Sequence, residues 1–216
     1  MRVRALPKLL VVGGAACLVA AVCVLCKSLG PAPAVVNAAA ESVPAYAANG
    51  DMLPPANYRE WIYLSSGIGM SYSPQPAGMT MFDNVFVNPE AYRSFVATGA
   101  WPDKTVMVLE LREAMSKGSI NQHGHFQGTG VMGIEVHVKD VARYPGGWAF
   151  FNFDSPAANG KVFAPTAPCY SCHQQHGAVD TTFVQFYPTL LPIARDKKTL
   201  SDAFIKEEAA QAGASK

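Results

Sequence analysis

The chain has 216 residues, half of them hydrophobic, and 17 basic against 16 acidic side chains leave a formal charge of +1. With an N-terminal leader set aside, that length suits one ordinary domain. The balanced charge gives no electrostatic footprint for nucleic acid and excludes such a partner from the reading.

The N-terminus reads as an export signal. Arg2, Arg4 and Lys8 form a positive n-region, and the run from Leu9 to Cys26 carries no charge. That run is long for a signal h-region and near the minimum for a spanning helix. Small-residue sites follow at Ala38-Ala39-Ala40 and Ala45-Tyr46-Ala47. A positive flank keeps the N-terminus in the cytoplasm and places the rest outside. Residues 1–29 are therefore expected to be a signal peptide or an N-terminal membrane anchor, with export to a bacterial periplasm. Residues 30–50, rich in Ala and Pro, are expected to be a linker.

The folded domain is expected over 51–198. Pro54 to Leu64 suits a short helix. Ser65 to Thr80, with three Gly and two Pro, must be loop or irregular strand. Phe82 to Val87 is strand-like. Asn88-Pro89-Glu90 opens a helix, with Asn88 as cap, Pro89 at the first helical position and Gly99 as the stop. After a Trp101-Pro102-Asp103-Lys104 turn, Thr105 to Leu111 is a strand whose positions 105, 107, 109 and 111 share one face. Glu113 to Gly130 is polar and reads as a loop bearing His123 and His125. Val131 to Val138 is a strand, with Glu135 and His137 opposite Ile134, Val136 and Val138. Pro145-Gly146-Gly147 turns into an aromatic strand, Trp148 to Phe153. Ser155 to Pro168 is loop, and Thr182 to Tyr187 a last strand. Residues 199–216 form a charged C-terminal helix or tail. Strands separated by turns, with few short helices, make the fold class α+β and mainly antiparallel β-sheet.

The chemistry concentrates at Cys169-Tyr170-Ser171-Cys172-His173. This is C-x-x-C-H, the attachment sequence for c-type haem. Two thiols add across the haem vinyl groups, and the adjacent His173 reaches the iron as proximal ligand. A zinc half-site would need a second ligand pair, and no other cysteine lies near that part of the chain. A thioredoxin-like dithiol would need a βαβ setting, whereas this motif sits in a Phe/Tyr/Pro-rich stretch. Of five cysteines, Cys17, Cys23 and Cys26 fall in the N-terminal apolar run. Cleavage there would leave only the two motif cysteines, both consumed by haem. Export agrees with the motif, because c-type haem is attached outside the bacterial inner membrane.

In this order the pieces resemble the cytochrome P460 family, which includes the β-type cytochromes c′. The resemblance covers roughly Tyr58 to Leu190. It rests on Phe82-Asp83-Asn84-Val85-Phe86-Val87-Asn88, on Trp101-Pro102-Asp103-Lys104-Thr105 running into Val106 to Leu111, and on Tyr144-Pro145-Gly146-Gly147-Trp148. It ends with the late C-x-x-C-H, His176, Asp180 and Thr182 to Pro188. The resemblance implies a mainly β fold, often a homodimer, with one covalently attached haem c. An open sixth iron position would bind small nitrogen species, NO or CO. Members that oxidise hydroxylamine carry a further covalent bond from a lysine to the porphyrin. The β-type cytochromes c′ lack it and cap the iron with bulky apolar groups, which makes Phe82 the expected distal cap.

The strand Thr105 to Leu111 contains no lysine, and Leu109 and Leu111 stand where a porphyrin-facing group would sit. Lys104, at the strand entrance, is the nearest candidate for a cross-link; a solvated turn lysine is the alternative. Glu110 and Glu135 are candidate proton acceptors for hydroxylamine oxidation. A solvent-facing position, or pairing with Arg112 or Lys139, is the alternative for them. His123 and His125 read as exposed loop histidines, His137 as structural, and Met107 as core. Three functions follow in order: a gas-binding haem protein, a hydroxylamine or NO oxidoreductase passing electrons to a cytochrome partner, and a plain electron carrier.

Overall fold

The computed structural model describes residues 44–55, 57–72 and 78–214. The expected leader, Cys17, Cys23, Cys26 and most of the expected linker lie outside them. No helix among the described residues is long and apolar enough to cross a membrane.

The strands are β1 (Ile62–Ile68), β2 (Met81–Val87), β3 (Val106–Met115), β4 (Phe126–Lys139), β5 (Trp148–Phe153) and β6 (Lys161–Val162). They form one six-stranded sheet in chain order. Every neighbouring pair is antiparallel, so the sheet is a meander. The helices are α1 (Pro89–Thr98), α2 (Pro168–His176), α3 (Leu191–Lys197) and α4 (Asp202–Ala214). The α+β class read from the sequence is what the chain adopts.

Period-two alternation gives the sheet two distinct faces. Val106, Val108, Ile134, Val136, Val138, Phe151 and Phe153 point to one face and pack with Met52 and Tyr58 of the preceding segment. Residues 44–50 belong to this layer, for Tyr46 bridges to Met52 and its ring meets Phe151 at 6.1 Å. On the other face Val87, Met107 and Trp148 pack beneath Phe95 of α1, Leu190, Ala194 of α3 and Phe204 of α4. The C-terminal segment is thus a docked helix rather than a frayed tail. Ser201 caps it at the Phe204 N–H and donates to the Gly177 carbonyl at 2.7 Å.

Three local expectations differ from what forms. The stretch 113–130 is strand at its two ends, because β3 runs on to Met115 and β4 begins at Phe126 as a two-stranded ribbon, while 116–125 is the expected loop. With both sides of that ribbon mostly wet, no burial alternation marks it, and register shifts beside Arg112 absorb the irregularity. Thr182 to Tyr187 holds a 3₁₀ turn, Val184–Phe186, whose Val184 is buried under the helical layer. Among its described residues, Pro54 to Leu64 holds the 3₁₀ turn Tyr58–Glu60 before β1 begins, rather than an α-helix.

Helix α1 opens and closes where expected, with Gly99 at φ 77° donating to the Phe95 carbonyl at 2.7 Å. Asn88, however, makes no side-chain cap. Its Oδ1 accepts from the Val106 N–H at 2.8 Å, pinning the helix start to β3.

Candidate functional site

Pro168 occupies the first turn of α2 and presets its backbone for a helix start. Cys169, Cys172 and His173 stand at i, i+3 and i+4, the spacing that puts three side chains on one helix face. All three line a cavity of about 510 Å³, within the range of ligand pockets. Both thiols are free. Burial pushes the Cys169 thiol up.

The cavity lies between α2 and the helix-covered face of the sheet. Val85, Met107, Leu109, Leu111 and Phe150 supply sheet-side walls, and Phe183, Phe186 and Tyr187 follow from the segment after α2. Asp83, Glu135, Ser65 and Ser66 are polar groups in this apolar lining. Burial raises both carboxyls, and the charge of Asp83 raises Glu135 further.

His173 is oriented by its surroundings. Its Nδ1–H donates to the Thr181 carbonyl at 2.7 Å. That fixes the tautomer and leaves the Nε2 lone pair for a metal. The ring meets Phe183 at 4.1 Å and Phe150 at 4.5 Å. Burial holds its pKa below the usual histidine range, against the opposing pull of the Thr181 hydrogen bond. Gly177 permits the chain to fold back onto α2. A Cβ there would meet the His173 carbonyl oxygen at 2.6 Å and the Thr182 nitrogen at 2.9 Å.

These residues fit a haem c. Two thiols and an imidazole with a free Nε2 share one helix face and border an apolar cavity. The remaining sequence candidates lie elsewhere. Phe82 pairs with Arg112, while the flanking cavity residues Asp83 and Val85 pair with Leu111 and Leu109. Strand alternation therefore points Phe82 to the opposite face. Lys104 adopts φ 63° in its turn, with its ammonium 2.5 Å from Asp140 and 3.8 Å from Asp103, and it does not line the cavity.

Glu110 is buried on the far face of the sheet, in contact with the Tyr58 hydroxyl and the guanidinium groups of Arg59 and Arg112. Burial pushes its pKa up, but hydrogen bonds from Arg112 and Tyr58 and the two arginine charges prevail and hold it below the usual range. Glu135, one of the two carboxylates weighed from sequence, is the one that borders the cavity. Asp83 escaped sequence reading. Extending the alternation of β2 back from Val85 would have found it.

His137 also borders the cavity, buried in β4. Burial, and then the charge of His173, pushes its pKa well below the usual value, so its ring is neutral. His176 is half exposed and lies 3.0 Å from Glu207. His123 and His125 are exposed in the loop between β3 and β4 and do not border the cavity.

The family model for cytochrome P460 matches residues 55–184. That span takes in the whole sheet, α1 and α2 with the C-x-x-C-H motif. No curated protein matches the chain.

Proposed function

The chain belongs to the cytochrome P460 family and is a haem c protein of that type; on that premise we propose that it binds a small nitrogen species, NO or CO at an open iron site. One haem would be attached through Cys169 and Cys172, with His173 Nε2 as the protein's axial ligand. Bound there, the haem supplies an iron centre with one position for a diatomic or small nitrogen ligand.

The observation that carries the reading is the wall formed by β3. Leu109 and Leu111 border the cavity, and no lysine is among its described lining residues. Lys104 is engaged with Asp140 instead. An apolar wall without an amine favours retention of a neutral gas and offers no third bond to the porphyrin. Phe183 and Phe150 hold the His173 ring. Titration of the reduced protein with CO tests the proposal: one ligand should bind per chain, with a saturable change in the haem spectrum. No spectral change would overturn it.

Glu135 supports a second reading, oxidation of hydroxylamine with electrons passed to a cytochrome partner. A cavity-lining carboxylate with a raised pKa is suited to accept a proton from a bound N–H group. Turnover of hydroxylamine with an external electron acceptor distinguishes the two readings. We also propose export to the periplasm through residues 1–29 and assembly as a homodimer. N-terminal sequencing of periplasmic protein and its solution mass test these.

A further inference from the structure

The loop that delivers the Thr181 carbonyl to His173 is fastened at several points. Thr182 closes it, its N–H and its hydroxyl donating to the Val179 carbonyl at 2.9 and 2.7 Å. The Trp101 indole N–H donates to Thr182 Oγ1 at 2.8 Å. Lys139 joins the Trp101 carbonyl at 2.8 Å to Asp180 at 3.0 Å. Thr181 itself is held by its hydroxyl, which lies 3.3 Å from His137 Nε2.

This last contact differs from the others, because His137 meets His173 by two routes. Through Thr181 it bears on the carbonyl that accepts the Nδ1–H. Directly, its ring stands 5.0 Å from the His173 ring with the planes 72° apart. It also stacks on Phe150 at 4.0 Å and 11°, and Phe150 in turn meets His173 at 4.5 Å. A phenylalanine at 137 would complete that stack without burying polar nitrogen, which costs free energy unless hydrogen-bonded. The nitrogen is therefore explained by its bond to Thr181.

We infer that His137 is a positioning residue that, together with Thr181, fixes the ring plane and the Nδ1–H hydrogen bond of His173. The inference rests on His173 ligating iron through Nε2, as proposed above. A histidine that donates its second N–H to a fixed acceptor is a more basic ligand. The 2.7 Å bond to Thr181 is at the short end of the N–H···O range. Loosening Thr181 lengthens that bond, weakens the ligand and favours the ferrous state.

The test uses the haem-loaded full-length protein and its His137→Phe, Thr181→Val and double variants, with Thr181→Ser as the conservative control. His137→Phe keeps a ring in the stack and removes the nitrogen. Thr181→Val removes the hydroxyl and keeps the carbonyl. The readouts are the ferrous iron–histidine stretching frequency and the midpoint potential, with far-ultraviolet circular dichroism as the check on folding. Each single variant should lower the frequency and raise the potential. The expected change in ferric-over-ferrous preference is about tenfold, the low end for such outer contacts, or about 59 mV for one electron. The double variant should move no further than the larger single, since the two residues act as a unit. Thr181→Ser should match the unmodified protein.

Folded, haem-loaded single variants with unchanged frequency and potential would overturn the inference, as would fully additive shifts. If His137→Phe fails to fold or load haem, Thr181→Val decides alone, a shift supporting the inference and an unchanged frequency overturning it. An unmodified protein that binds haem yet shows no iron–histidine mode defeats the His173 ligation itself, and the inference with it.

Discussion

Replacing Glu110 by Gln deletes one charge from the buried cluster on the far face of the sheet and leaves the cavity lining intact. The carboxylate is 2% exposed. It contacts Arg112, whose side chain is 15% exposed, and Arg59, whose side chain is 54% exposed. Removing one partner of a buried pair costs roughly 3–5 kcal/mol, because the other charge is left uncompensated. Arg59 can turn to water, and Gln still accepts from the Tyr58 hydroxyl. Only Arg112 carries the penalty, which places the loss at the low end, about 3 kcal/mol. For a domain of this size each kcal/mol moves Tm by roughly 2–4 °C, so a fall of about 6–12 °C is expected. Thermal unfolding by circular dichroism measures it, with CO binding and any hydroxylamine turnover followed in parallel. A variant with unchanged Tm and abolished turnover would refute the placement of Glu110 as a structural group.

The same cluster gives a pH prediction. Glu110 has a depressed pKa when folded, so its stabilisation is present above the unfolded carboxyl value and lost as pH falls through the folded one. The Tm gap between the protein and Glu110→Gln should therefore close on acidification; a constant gap would contradict the ionic origin. Glu135 has the opposite sign, since burial raises its folded pKa. Glu135→Gln should raise Tm at neutral pH, with the gain vanishing below the unfolded carboxyl value. If the chain turns over hydroxylamine, Glu135→Gln should slow it by roughly 10²–10⁴-fold while sparing CO binding. Cys169→Ala should leave haem held by one thioether, and Cys169→Ala with Cys172→Ala should release it to acid–acetone; retention by the double variant would contradict attachment there. Gly177→Ala should destabilise by about 1–3 kcal/mol, the usual cost of overpacking, because the added carbon meets backbone rather than a movable side chain. An unchanged Tm would show that the turn yields more readily than its packing implies.

The C-x-x-C-H motif was legible at once, because its spacing is itself the chemistry. The face of β3 that borders the cavity was legible too, since strand alternation alone puts Met107, Leu109 and Leu111 together. The same alternation, not carried through β2, would have turned Phe82 away and brought Asp83 in. Alternation already sets Glu110 beside Arg112 on the face of β3 opposite Leu109. Placing Glu135 at the cavity needed the sheet, because only the pairing of β4 with β3 sets Glu135 against Leu109. The clamp around Thr181 was invisible for another reason. It joins Trp101, His137, Lys139 and Thr181 across long sequence separations, and no local pattern encodes such a meeting. The β3–β4 ribbon was missed because a strand pair wet on both sides leaves no hydrophobic signature.

The most direct test of the open iron site is the optical spectrum of the haem-loaded protein, oxidised and then reduced without oxygen. The expected result is a high-spin c-type spectrum whose ferrous Soret band moves on adding CO or NO. A low-spin spectrum indifferent to both gases would mean that a sixth protein ligand closes the site and that the chain carries electrons. A strongly red-shifted ferrous Soret band would indicate a lysine–porphyrin bond, contradict the amine-free cavity wall and return the assignment to hydroxylamine oxidation.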